Sequence, residues 1–152
     1  MWSYQALVQG SDTPSWQIDF PPANYRILPG FLNQRADVTG NLYWTVDYWQ
    51  EHPWRDVITD DFGCCYPGDG VLVYPGRQAG VVGTVPSMRL AYIRDGFEDY
   101  AYVQILRDRG MAAEARQIIE PAARSWREWT QDPKIIAAVR ADLAAAIEDS
   151  NP

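Results

Sequence analysis

The sequence predicts an α/β fold, and three observations carry that prediction. Residues 2–8, 39–49 and 71–74 are short runs rich in apolar and aromatic side chains that read as strands. Long segments with turn residues and helical spacing separate them. From Gly68 to Leu106 a strand, a loop and an amphipathic helix follow one another, the repeating unit of α/β architectures. Strands so far apart imply a parallel sheet joined by crossovers.

Taken in order, residues 2–8 (WSYQALV) alternate large and small side chains, as a strand does. Residues 10–22 form a long loop rich in Ser, Asp, Pro and Gly, whose Trp16, Ile18 and Phe20 are expected to pack over the mouth of a site. Residues 23–34 read as a helix broken at Pro29-Gly30. In the second strand, residues 39–49, Leu42, Trp44 and Val46 share one face, with Tyr43, Thr45 and Asp47 on the other. Residues 50–67 read as a second long loop. The third strand, residues 71–74, is apolar without alternation, which fits burial on both faces.

Ser87 is placed as the N-cap of the next helix, whose face runs through Leu90, Ile93, Phe97, Tyr100, Val103 or Gln104, and Leu106. Gly110 ends it as a C′ glycine. Residues 111–129 read as a further helix, with Ile118, Ala122, Ser125, Trp126 and Trp129 on one face. Asp132-Pro133 starts the last, over residues 135–148, with Ile136, Val139, Leu143 and Ile147 as its stripe.

A chain of 152 residues, 47% of them hydrophobic, is enough for one domain with a core. Its net charge is −7, and Lys134 is its only lysine. With no basic stripe, nucleic acid and an anionic membrane surface are unexpected partners. No apolar run approaches the ~20 residues of a spanning helix. No signal peptide is visible after Met1, so the cytoplasm is the default compartment as written; an extracytoplasmic place follows if residues precede Met1. Adjacent Cys64 and Cys65 read as free thiols, since a bridge needs a specific geometry. No cysteine, histidine or carboxylate cluster has metal-ligand spacing, and no cofactor is expected. Seven Trp and nine Tyr exceed what a small core needs and point to flat stacking surfaces.

The string Ser87-x-Arg89-Leu90-x-x-x-Arg94-Asp95-Gly96-x-Glu98-Asp99-Tyr100 resembles the signature near the C-terminus of the glycoside hydrolase family 123-like catalytic domain, also described as domain of unknown function 4091. Gly68-Asp69-Gly70 with Tyr74-Pro75-Gly76 is similar to the segment before it, and Trp2-x-Tyr4 and Gly40-x-Leu42-Tyr43-Trp44 to two earlier strands. Ala91 and Ala101 stand where the family pattern has acidic residues. The resemblance implies a (β/α)8 barrel. A full barrel takes ~250 residues, so the expectation is its C-terminal portion: about three parallel strands and the last β/α units over residues 1–109, then appended C-terminal helices over 110–152. A lone piece leaves sheet edges open, to be covered by self-association or by a missing N-terminal part of the barrel.

The resemblance further implies hydrolysis of β-linked N-acetylgalactosamine, in which the substrate's own acetamido oxygen attacks the anomeric carbon and an adjacent Asp-Glu pair assists. This sequence has no Asp-Glu dipeptide, so the chain is expected to be inactive alone and no catalytic residue is assigned. Glu98-Asp99 lies within a helix and is expected to pair with arginines or to cap the barrel; Asp60-Asp61 reads as solvated, and Asp69 as a turn former. Barrel sites lie at the C-terminal strand ends. That places Tyr4, Trp44, Asp47, Trp49 and Tyr74 at a carbohydrate site, where rings stack on sugar C–H faces and a carboxylate orients hydroxyls. A non-catalytic glycan-binding module and a truncated structural remnant are the alternatives.

Overall fold

The computed structural model describes residues 1–6, 11–56, 58–61 and 64–150, the side chains of 58–61 and 64 excepted. Its architecture is mixed α/β, with four two-stranded sheets among the described residues. Strands β1 (Trp2–Gln5) and β2 (Gly40–Tyr43) pair in parallel, with Tyr4 opposite Leu42. The part of the expected first strand from residue 7 onward lies outside the described residues.

A helical crossover joins the pair, as parallel strands require. It runs through α1 (Ala23–Ile27), a π turn (Leu28–Leu32) and α2 (Asn33–Arg35). The break expected at Pro29-Gly30 is absent. Pro29 has no N–H to give, and the hydrogen-bond ladder widens into a π turn there instead of ending. Burial holds the segment in place: Ile27, Leu28, Phe31 and Leu32 are all fully buried.

The second strand is shorter than expected and ends at Tyr43. Beyond it the chain turns to meet the next segment, and Asp47 forms an antiparallel bridge with Val71. The expected loop over 50–67 contains a hairpin, β3 (Ile58–Asp61) with β4 (Cys64–Pro67). Ile58, Thr59 and Tyr66 are residue types that suit a pleated strand. The third expected strand is a correction too. Val71 and Leu72 are buried, but the strand itself, β5 (Val73–Pro75), pairs antiparallel with β6 (Thr84–Pro86). Residues 76–83 between them are fewer than the roughly dozen a parallel crossover needs.

Helix α3 (Met88–Asp108) begins as read from the sequence, with the Ser87 hydroxyl accepting the Leu90 N–H at 3.2 Å. At its other end the Gly110 N–H reaches the Arg107 carbonyl and the Met111 N–H the Leu106 carbonyl, a Schellman pair. Its buried face is Ile93, Gly96, Asp99, Val103 and Leu106, whereas Phe97 is exposed. The face turns toward Gly96 because the crossover packs there: a Cβ on Gly96 would fall on the Arg26 carbonyl oxygen. One on Gly30 would stand 2.8 Å from the Gly96 carbonyl oxygen.

The long helix expected over 111–129 is two elements. Helix α4 (Ala112–Ile118) stops ahead of Pro121, which cannot donate to a continuing helix. The hairpin β7 (Ala123–Ser125) with β8 (Glu128–Trp129) follows. The last helix, α5 (Pro133–Asp149), is capped as expected: the Asp132 carboxylate accepts the Lys134 N–H at 2.8 Å. Its Ile136, Val139 and Leu143 enter one core with Ile27, Phe31 and Leu32 of the crossover and Val103 and Leu106 of α3. A second core, Trp16, Tyr25, Leu28, Leu72 and Ile93, lies with Tyr43 packed against it. No helix among the described residues is long and apolar enough to cross a membrane.

Candidate functional site

The turn Gly68-Asp69-Gly70 gathers aromatic side chains from an earlier part of the chain. Gly70 has φ +71°, a left-handed conformation that a residue with a Cβ rarely adopts. The turn buries Asp69, which is 1% exposed. The Asp69 carboxylate accepts the Tyr43 hydroxyl at 3.1 Å and the Trp44 indole N–H at 2.8 Å. The Gly70 N–H donates to the Tyr43 oxygen at 2.6 Å, and the Gly70 carbonyl accepts the Tyr48 N–H. Trp44 and Tyr48 are in ring contact, with centroids 5.0 Å apart. Both remain more than one-third exposed, at 36% and 39%.

A second aromatic group stands on β5. The Trp54 ring lies 4.8 Å from that of Tyr74, and its N–H donates to the Pro75 carbonyl. The Trp49 N–H donates to the Val73 carbonyl. Arg89 ties this group to the turn, donating to the Gly68 carbonyl at 2.8 Å and to the Tyr74 hydroxyl at 2.9 Å. Its guanidinium also lies over the ring of buried Tyr25, 5.9 Å from the centroid.

The electrostatics follow from burial. The Tyr43 hydroxyl is pushed well up by desolvation, and the Asp69 charge pushes it further. Burial also pushes Tyr25 up to about 12, against the pull of Arg89. Both phenols therefore stay neutral at ordinary pH and act as hydrogen-bonding groups. Asp69 is enclosed and already bonded to the two aromatic donors, so as placed it orders rings. Trp44, Tyr48 and Trp54 keep 36%, 39% and 45% of their surface exposed.

Of the residues singled out in the sequence, Trp44, Asp47, Trp49 and Tyr74 all lie where residues 43–54 meet residues 68–75. Asp47 is exposed, with the Thr45 hydroxyl donating to it at 3.1 Å. Tyr4 sits instead on the outward face of β1, 53% exposed. Trp16 does not pack over a site mouth. It is 3% exposed in the core, edge-on to Tyr43 at 5.2 Å. Asp69 is more than a turn former, and Tyr43, Tyr48 and Trp54 join the site without having been singled out. Two glycines flanking one acid were the available signal, because such a turn lets backbone and side chains approach closely.

Glu98 and Asp99 do pair with arginines. Arg26 grips buried Asp99 through two hydrogen bonds of 2.6 and 2.9 Å, and Arg140 of α5 reaches Glu98 at 2.6 Å and Asp99 at 3.4 Å. This cluster joins three elements and is structural. The side chains of Asp60 and Asp61 lie outside the described residues. Among the described residues, no three His, Cys, Asp or Glu side chains form a group that could hold a metal ion. Cys65 is a free, exposed thiol.

The family model for the glycoside hydrolase 123 catalytic domain matches residues 1–106. The chain belongs to the glycoside hydrolase 123 family. None of the curated proteins compared with it matches. The glycoside hydrolase 123 match takes in both aromatic groups, the Asp69 turn and Arg89, and it ends at Leu106 inside α3. The core of this family member does not end there: Ala115, Ile119, Ile136, Val139 and Leu143 pack with Leu106 in one cluster.

Proposed function

We propose that this chain supplies the aromatic wall of a glycoside hydrolase 123 sugar site, for β-linked N-acetylgalactosamine-type substrates, without the acid pair that completes catalysis. The observation that carries the reading is Trp44. Its indole is partly exposed, is hydrogen-bonded along its N–H edge to a buried carboxylate, and has Tyr48 beside it. Sugars present flat patches of C–H groups that stack on such rings. Trp49 and Tyr74 extend the wall, while Asp47 offers a carboxylate to hydroxyls. No Asp-Glu dipeptide occurs in the sequence, so the acetamido-assisted step has no acid pair to draw on here.

In this reading β1, the helical crossover and β2 are one unit of a (β/α)8 barrel, and further strands cover their outward face. Trp2, Tyr4 and Leu42 on that face are 68%, 53% and 48% exposed. The cover is either the rest of a barrel or a second copy of the chain.

Two measurements test the function. Titration with N-acetylgalactosamine is expected to change tryptophan fluorescence saturably, and Trp44→Ala is expected to weaken binding by ~1 kcal/mol, the low end of what stacking on an aromatic ring is worth to a nucleobase. A flat titration of folded protein sinks the sugar wall. The purified chain is expected to release no chromophore from an aryl β-N-acetylgalactosaminide, and release at a rate that survives repurification overturns the missing acid pair.

A further inference from the structure

We propose that Asp69 is a positioning residue, holding the Trp44 ring in the orientation that receives the sugar. The inference rests on the sugar-wall reading above and adds to it the device that makes the wall rigid. An indole on an irregular segment turns about two side-chain bonds, and a ligand that stacks on it must first freeze that motion. Here the motion is already restrained along the N–H edge and on the side of Tyr48. The N–H edge donates to the Asp69 carboxylate at 2.8 Å, a charge-assisted bond at a carboxylate only 1% exposed. The same edge backs onto Gly70, where an added Cβ would stand 2.7 Å from Cζ2, the ring carbon next to the N–H side. Tyr48 lies against the ring, and its own N–H is fixed by the Gly70 carbonyl.

Asp69 is itself anchored. The Tyr43 hydroxyl donates to its other oxygen at 3.1 Å while accepting the Gly70 N–H at 2.6 Å. Tyr43 packs against the second core, so the orientation of an exposed ring is set from the buried interior. A carboxylate placed to bind sugar hydroxyls directly would have to be open to them, and this one is enclosed.

The test follows the Trp44 indole N–H signal in two-dimensional NMR of the full chain, assigned by its loss in Trp44→Phe. In Asp69→Ala that signal is expected to move and broaden while the other indole signals and the amides of α3 stay put. Affinity for N-acetylgalactosamine is expected to fall ~2- to 10-fold, the cost of ordering one side chain on binding. Asp69→Asn, which keeps the volume and can still accept the indole N–H, is expected to recover part of that loss. Should Asp69→Ala not fold, Asp69→Asn carries the test by itself: loss of the acceptor's charge is expected to move the Trp44 signal and to lower the affinity, in the same direction. A folded variant with an unmoved Trp44 signal or unchanged affinity overturns the positioning role alone. If the wild-type Trp44 signal ignores the sugar, the sugar-wall reading falls, and the positioning role with it.

Discussion

Tyr25 shows how a single buried group couples this fold to pH. Its hydroxyl is held up to about 12, chiefly by burial, from an ordinary value of 10.0. Between those values the unfolded chain has released this proton and the folded chain has kept it. Stability therefore falls as pH rises through that window, by about 1.4 kcal/mol for each pH unit from this residue. Tyr25→Phe keeps the ring stacked on Trp16, 5.9 Å away, and removes the proton. The variant is expected to lose less stability than the wild type between pH 10 and 12, by urea unfolding at each pH. Equal losses would mean that the Tyr25 hydroxyl ionises in the folded protein as it does in the unfolded one.

At the scale of elements, α3 organises the molecule because the crossover lies directly on it. Gly96 makes that contact possible, since any Cβ there meets the Arg26 carbonyl. Arg26, Asp99 and Arg140 then lock the crossover, α3 and α5 together. Helix propensity alone says that Gly96→Ala stabilises α3 by about 1 kcal/mol. Overpacking says the reverse, a loss of about 1–3 kcal/mol, and it wins because backbone, which cannot swing away, meets the new methyl. A lower thermal midpoint is the expected outcome; a higher one would show that the two helices do not touch at Gly96. The caps of α3 and α5 were legible in the sequence, since Ser87 and Asp132 act within three residues of themselves. The hairpin at residues 123–129 was not, because the apolar spacing of Ile118, Ala122 and Trp126 fits a helix equally well.

For the whole molecule, the segment beyond the family match completes the core. Val103 and Leu106, 1% and 0% exposed, share their core with Ala115, Ile119, Ile136, Val139 and Leu143, all of which lie beyond the match. Arg109 adds a tie, donating to the Ile147 carbonyl at 2.6 Å. A chain ended after Leu106 is expected to lose cooperative thermal unfolding, seen as a broad, featureless transition by circular dichroism. A sharp transition near that of the full chain would make residues 107–150 an accessory.

By itself the sequence determined the α/β class, the two long helices with their caps, the surplus of aromatic rings and the family. These rest on local pattern, on composition, or on a motif contiguous in the chain. The tertiary structure alone decided what Asp69, Gly96 and Trp16 do, and where the short strands pair. Asp69 meets Tyr43 and Trp44 across 26 and 25 residues of chain, and Asp99 meets Arg26 across 73. No local propensity encodes such distances. A carboxylate between two glycines reads as a turn until the rings that it holds are folded onto it.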